Sequence, residues 1–172
     1  GFAWAYFARK ASEPEGPEYF LKELFNDQFV YRVGHNVQLL KPEYQKQWKV
    51  CQDGFIKELN VLSTLNVTNI PKIIDAFEAN DTFYIVQEKV NGITLDKYFR
   101  QYIRNKGAKT NAHLLTVLIR LLQTLNGLHK FHKLHRDIKP SNILVDDDAQ
   151  PYLVDFGAAR LEIDTVTMNI QD

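Results

Sequence analysis

The sequence predicts an α+β protein in two parts, strands with one helix first and then helices closed by a small hairpin. Three patterns carry this reading. Short apolar runs punctuated by Gly, Pro and Asn fill residues 1–90, a leucine stripe at steps of three and four follows, and two brief apolar runs then flank Asp146-Asp147-Asp148.

Residues 2–9 and 18–21 read as strands, with Glu13-Pro14-Glu15-Gly16-Pro17 as the turn between them. Residues 26–52 show no clear period and are expected to form an insertion. Asp53 is placed to cap a helix whose apolar face is Ile56, Leu59, Leu62 and Leu65. Pro71 and the turn Asn80-Asp81 frame strands at 72–77 and 82–87. Asn91-Gly92 interrupts the pattern, and Thr94 opens a helix to about residue 104. Leu114, Leu115, Leu118, Leu121, Leu122, Leu125 and Leu128 form one stripe with the period of a buried helix. Residues 143–145 and 152–154 form the closing hairpin.

Composition narrows the function classes. Lys plus Arg equals Asp plus Glu at 21 each in 172 residues, so no bulk field points to nucleic acid or an anionic membrane. The one cysteine, Cys51, excludes an intramolecular disulfide framework, fits a reducing compartment and is read as structural. Leu114-Leu115 and Val117-Leu118-Ile119 are too short to span a bilayer, and no signal peptide is visible. The expectation is a soluble, cytoplasmic piece without membrane or nucleic-acid contact, whose true start need not be Gly1.

The flanks of the hairpin carry the chemistry. His135-Arg136-Asp137-Ile138-Lys139-Pro140-Ser141-Asn142 precedes it and Asp155-Phe156-Gly157 follows. Moving a phosphate requires a carboxylate to orient a hydroxyl, a cation near the phosphate and oxygen ligands for magnesium. Asp137, Lys139, Asn142 and Asp155 supply those types, and the hairpin is short enough to bring them together. A solvated, charge-rich turn accounts for Asp146 to Asp148 but not for eight ordered residues and a second triplet.

H-R-D-x-x-x-x-N followed by D-F-G resembles the protein-kinase signature, with Asp137 and Asp155 18 positions apart. The resemblance implies a two-lobed protein-kinase-like fold, incomplete. Residues 1–90 would be the N-lobe, entered within the glycine-rich loop. Residues 91–172 would be a partial C-lobe with the catalytic loop and the start of the activation segment. It implies that Asp137 accepts the proton of the substrate hydroxyl, that Lys139 steadies the transferring phosphate, and that Asn142 and Asp155 hold Mg2+. K-P-S-N resembles serine/threonine kinases, whereas tyrosine kinases usually carry Ala and Arg there. Small-molecule kinases resembling aminoglycoside phosphotransferases usually lack the Arg of H-R-D and the K-P pair. The implied activity is transfer of the ATP γ-phosphate to a protein serine or threonine, with Thr165 and Thr167 as candidate acceptors on the chain itself.

The same resemblance gives roles upstream. Lys22, ending the second strand, matches the phosphate-binding lysine, and Glu58 matches its partner on the helix opened by Asp53. Residues 83–91, with Gln87, Glu88 and Val90, resemble the hinge whose backbone holds adenine. Leu95, Ile143 and Leu144 match apolar positions at the adenine pocket, and Leu62, Ile73, His135 and Phe156 match the hydrophobic set linking the lobes. His129, His132 and His135 recur at metal-ligand spacing, but His135 belongs to H-R-D and His129 to a Leu-His pair ending the preceding helix.

Departures matter too. Gly1-Phe2-Ala3 resembles the tail of the glycine-rich loop with Ala3 at its last glycine. Phe20 stands where a small alanine lies against adenine, and Ala5 where the opposing valine lies, so volume is roughly conserved. The pocket is then either reshaped, or closed as in a pseudokinase acting as a binding module. The interval from Lys22 to Glu58 is longer than usual. No A-P-E motif follows Arg160, so the chain alone is expected to be inactive and to pair with the remainder of a kinase domain or with another chain.

Overall fold

The computed structural model describes residues 3–104 and 108–161. The chain divides into two units, Gly1–Ser63 with Lys72–Lys89, and Thr64–Pro71 with Val90–Asp172.

In the first unit, β1 (Ala3–Ala8), β2 (Tyr19–Leu24), β5 (Ile73–Ala79) and β6 (Thr82–Glu88) form an antiparallel sheet in the order β1-β2-β6-β5. Asn80 and Asp81 join β5 to β6 with φ of 53° and 59°, the left-handed pair that a two-residue type I′ turn needs. β2 is a central strand. It runs on to Leu24, so Lys22 lies within it, opposite Ala5 and Ile85, and not at its end.

The segment 26–52, expected as an insertion without a clear period, holds a hairpin, a short turn and the start of a helix. β3 (Val30–Val33) and β4 (Asn36–Leu39) form a hairpin, closed at Gly34 with φ of 60°. A 3-10 turn at Pro42–Tyr44 then leads into α1 (Gln45–Ser63). Asp53 is therefore inside α1, paired with Lys49 at 3.1 Å on the exposed side, and caps nothing. The buried face of α1 is Trp48, Cys51, Phe55, Glu58 and Leu62, at steps of three and four. Ile56 and Leu59 are only half-buried and Leu65 lies beyond the helix. The reason is volume: the two aromatic rings set the inward face, and the aliphatic residues beside them take its margins. Leu24, Phe25, Val30, Val37, Trp48, Cys51, Phe55 and Ile85 make the core, with Asn26 Nδ2 donating to the buried Cys51 Sγ at 3.8 Å.

In the second unit, β7 (Ile93–Thr94) leads directly into α2 (Leu95–Arg104), so the helix opens at Leu95 and Thr94 ends the strand. α3 (Ala108–Lys130), β8 (Lys133–Leu134), β9 (Ile143–Val145), β10 (Pro151–Leu153) and β11 (Arg160–Leu161) follow. The sheets are β10-β9-β7 and β11-β8, both antiparallel. A Cβ on Gly92 would stand 2.8 Å from the Val145 carbonyl oxygen, so only glycine admits this approach of β9. Thr64–Pro71 belongs here because Asn69 is tied to it twice. Its carbonyl accepts from Leu153 N–H at 2.9 Å and its Nδ2 donates to Thr124 Oγ1 at 3.2 Å.

The expected leucine stripe of α3 divides. Val117, Leu121, Thr124 and Leu128 are buried against the side that packs on α2, β8 and β10. Leu115, Leu118 and Leu122 are 57%, 41% and 64% exposed, with Ile119 beside them at 48%. α3 is apolar on two opposite faces, and among the described residues only one is covered. No helix of the described residues is long and apolar enough to cross a membrane.

Candidate active site

The β9–β10 hairpin positions the catalytic-type residues. Leu153 pairs with Ile143, and Val154 N–H donates to the Asn142 carbonyl at 3.0 Å, so Asn142 and Asp155 sit at the open end of one ladder. His135, almost fully buried, ties the preceding loop to the same strand: its Nε2 donates to the Val154 carbonyl at 3.1 Å. Its Nδ1 accepts from Asp137 N–H at 3.3 Å, and its ring meets Phe156 edge-on at 4.6 Å. Arg136 and Asp155 hold left-handed φ of 64° and 63°, unusual for residues with side chains.

Around Asp137 the polar groups converge. Lys139 Nζ donates to Asp137 Oδ2 at 2.6 Å, and buried Asn142 donates through Nδ2 to the same oxygen at 2.9 Å and to the Asp137 carbonyl at 3.0 Å. The hydrogen bond from Lys139, aided by that from Asn142, holds the Asp137 carboxyl below its ordinary range. The Asp137 carboxylate raises Lys139 in turn, and Asp155 adds to that effect. Burial lowers His135, against the smaller opposing effects of the Val154 carbonyl, Asp155 and Asp137, so its imidazole is neutral. Asp146 is different: its Oδ1 accepts from Asp148 and Gln150 N–H at 3.0 and 2.8 Å and merely closes the hairpin turn.

The first unit holds the second constellation. Lys22 Nζ donates to both oxygens of Glu58, at 2.7 and 2.8 Å, so the long interval between them does not prevent the pairing. Ala5 faces Lys22 directly across the strands, whereas Phe20 faces Phe7, and those two rings meet edge-on at 6.2 Å. Phe20 thus fills against Phe7, with Ala5 a diagonal neighbour on the same face. Glu88 ends β6, its N–H donating to the Lys72 carbonyl at 3.0 Å and its Oε2 accepting from Lys72 N–H at 3.1 Å. Val90 follows as the first residue of the second unit's longer segment. There Leu144 is half-buried between buried Ile143 and Val145, opposite Tyr152 and Thr94. Thr165 and Thr167 lie outside the described residues.

One polar group escaped the sequence reading. Glu23 is 2% exposed yet accepts hydrogen bonds from Arg32, Tyr6 and Tyr84. The alternation Val-Tyr-Arg-Val before Gly34 was the available signal for the hairpin that delivers Arg32.

The family model for the protein kinase domain matches residues 36–170. The chain belongs to the protein kinase family. It is 32% identical over 169 residues to serine/threonine-protein kinase PknA of Nostoc sp., which covers 96% of this chain and 27% of that protein. It is 38% identical over 123 residues to serine/threonine-protein kinase D of Synechocystis sp., covering 70% of this chain and 23% of that protein. The chain thus spans about a quarter of the length of these relatives. Among solved structures it is similar to PpkA-294 in its apo form, with a TM-score of 0.80 and 24% identity over 99% of this chain and 59% of that one. That likeness shows the α+β kinase fold.

Proposed function

We propose that the protein containing this chain is a serine/threonine kinase that transfers the ATP γ-phosphate to a protein hydroxyl. The observation carrying this reading is the Asp137–Lys139–Asn142 cluster, built on the same hairpin that presents Asp155. In the proposed reaction Asp137 accepts the hydroxyl proton as oxygen attacks phosphorus and the γ-phosphate's bond to ADP breaks. The depressed carboxyl of Asp137 is ionised at neutral pH, ready to orient that hydroxyl. Lys139, fixed by Asp137, is the cation for charge developing on the transferring phosphoryl group. Lys22, held by Glu58, is the cation for the remaining phosphates. The kinase resemblance assigns the backbone of Glu88 and Val90 and the side chains of Leu144, Ala5 and Phe20 to the adenine.

The donor set fits magnesium. Asn142 commits its amide nitrogen to Asp137 and so turns its oxygen elsewhere, and Asp155 adds an exposed carboxylate. Bound magnesium neutralises phosphate charge; Asn142 and Asp155 would hold it. Phe20, on the sheet face of Lys22, favours a second reading, a pseudokinase that acts by contact. A thermal shift of the full-length protein with ATP, with and without magnesium, separates them, because a ligand of the native state alone raises stability by about 2.7 kcal/mol at a hundred times Kd. A magnesium-enhanced shift is expected. No shift at millimolar ATP favours the contact reading.

A further inference from the structure

Neighbouring residues of β2 are gripped on opposite faces of its sheet. Lys22 gives its ammonium to Glu58 of α1 on one side. Glu23, on the other, accepts from Arg32 Nη2 at both oxygens, each 2.8 Å, from Tyr6 Oη at 2.8 Å and from Tyr84 Oη at 2.7 Å. Tyr6 and Tyr84 flank Glu23 from β1 and β6, the two strands paired with β2. The Arg32 guanidinium also lies 5.0 Å from the Phe25 ring centre and 5.8 Å from that of Trp4. A one-residue slip of β2 would exchange the faces of Lys22 and Glu23. Three donors converging on one buried site accept a carboxylate there and reject an ammonium, so they fix the register. Burial pushes the Glu23 carboxyl up, but the bonds from Arg32, Tyr84 and Tyr6 reverse this and hold it below its ordinary value. Tyr6, half of one of those bonds, is pushed up to about 12 by burial and by Glu23.

Arg32 does not stand alone. Its hairpin inserts Val30 and Val37 into the core beside Trp48, Cys51 and Phe55, on the helix and face that carry Glu58. The hairpin is therefore bonded to the strand of Lys22 and packed on the helix of Glu58. We propose that Arg32 is a positioning residue, through which the β3–β4 hairpin braces β2 against α1 and keeps Lys22 paired with Glu58. The consequence for phosphoryl transfer rests on the kinase reading above; the brace itself does not.

The test is amine acetylation of Lys22 in the full-length protein without nucleotide, read by mass spectrometry residue by residue. Arg32→Met alone leaves Glu23 charged and buried and can unfold the unit. The variant Glu23→Gln with Arg32→Met removes both charges and is the one compared with the parent. Its Lys22 should acetylate about tenfold faster, the scale of a coupled network, while exposed Lys46 and Lys49 keep their rates. Glu58→Gln should produce the same rise, and adding the double change to it should add less than about twofold. Arg32→Lys, which keeps the charge but loses the guanidinium's bond to the His35 carbonyl and its contact with the Phe25 ring, should give an intermediate rise and decides the matter if the double variant does not fold. Unchanged Lys22 labelling in a folded variant, or an equal rise at Lys46 and Lys49, overturns the brace. A parent that binds no ATP overturns the kinase reading and leaves this outcome standing.

Discussion

Replacing Glu58 by alanine should destabilise the first unit far more than a surface ion pair would. Glu58 is 5% exposed and Lys22 15%, and the substitution removes both hydrogen bonds that the Lys22 ammonium donates to it. Removing one partner of a buried pair costs about 3–5 kcal/mol. The residual exposure of Lys22 lets water recover part of this, so a loss of about 3 kcal/mol is expected, against about 0–1 for an exposed pair. Lys22→Met combined with Glu58→Leu should stay within about 1 kcal/mol of the parent, because apolar groups of similar volume avoid the desolvation cost altogether. Urea unfolding followed at Trp4 and Trp48, the two tryptophans of the chain and both in this unit, reports the difference. A loss below about 0.5 kcal/mol for Glu58→Ala, or an equal loss in the double variant, would refute the reasoning.

Two further outcomes follow from the same geometry. His135 uses both ring nitrogens and is lowered by burial from about 6.5, so its stability contribution is full above that pH and is lost as pH falls below it. Melting temperatures between pH 8 and 5 should fall more steeply for the parent than for His135→Phe, whose remaining titrating groups are the same; parallel curves would contradict this. Phe20→Ala should cost about 1–2 kcal/mol, less than for a fully buried ring, because Phe20 is half-buried and meets Phe7 only edge-on. Urea melts give the cost. ATP titration of the same variant should show no tighter binding, and a tighter Kd would favour the contact reading.

The sequence was most legible where chemistry is contiguous. Asp137, Lys139, Asn142 and Asp155 bracket a hairpin whose strands are three residues each, so local geometry alone brings Asn142 level with Val154. Lys22 and Glu58 were readable only through resemblance, since 36 positions of chain separate them and either charge alone resembles a surface residue. The start of α1 was hidden because Gln45, Lys46, Gln47 and Lys49 surround Trp48 and dilute the apolar period that begins there. In α3 the pattern showed apolar residues but not which would be covered, because Leu115-Leu118-Ile119-Leu122 and Val117-Leu121-Thr124-Leu128 each form a helical stripe. The Glu23–Arg32 pair had no reading in advance. The partners of Glu23 come from two strands and a hairpin, and nothing local in Leu-Lys-Glu-Leu says which charge turns inward.

The most direct test of the account is phosphoamino-acid analysis of a generic basic protein incubated with labelled ATP, magnesium and the full-length protein, parent against Asp137→Asn. The parent should yield phosphoserine or phosphothreonine, as K-P in the catalytic loop implies. Asp137→Asn should lose about 10²–10⁴-fold in rate while its ATP-induced melting shift stays near the parent's, because in the proposed reaction Asp137 acts on the hydroxyl and not on the nucleotide. Equal rates for the two proteins, or phosphotyrosine as the main product, would contradict it.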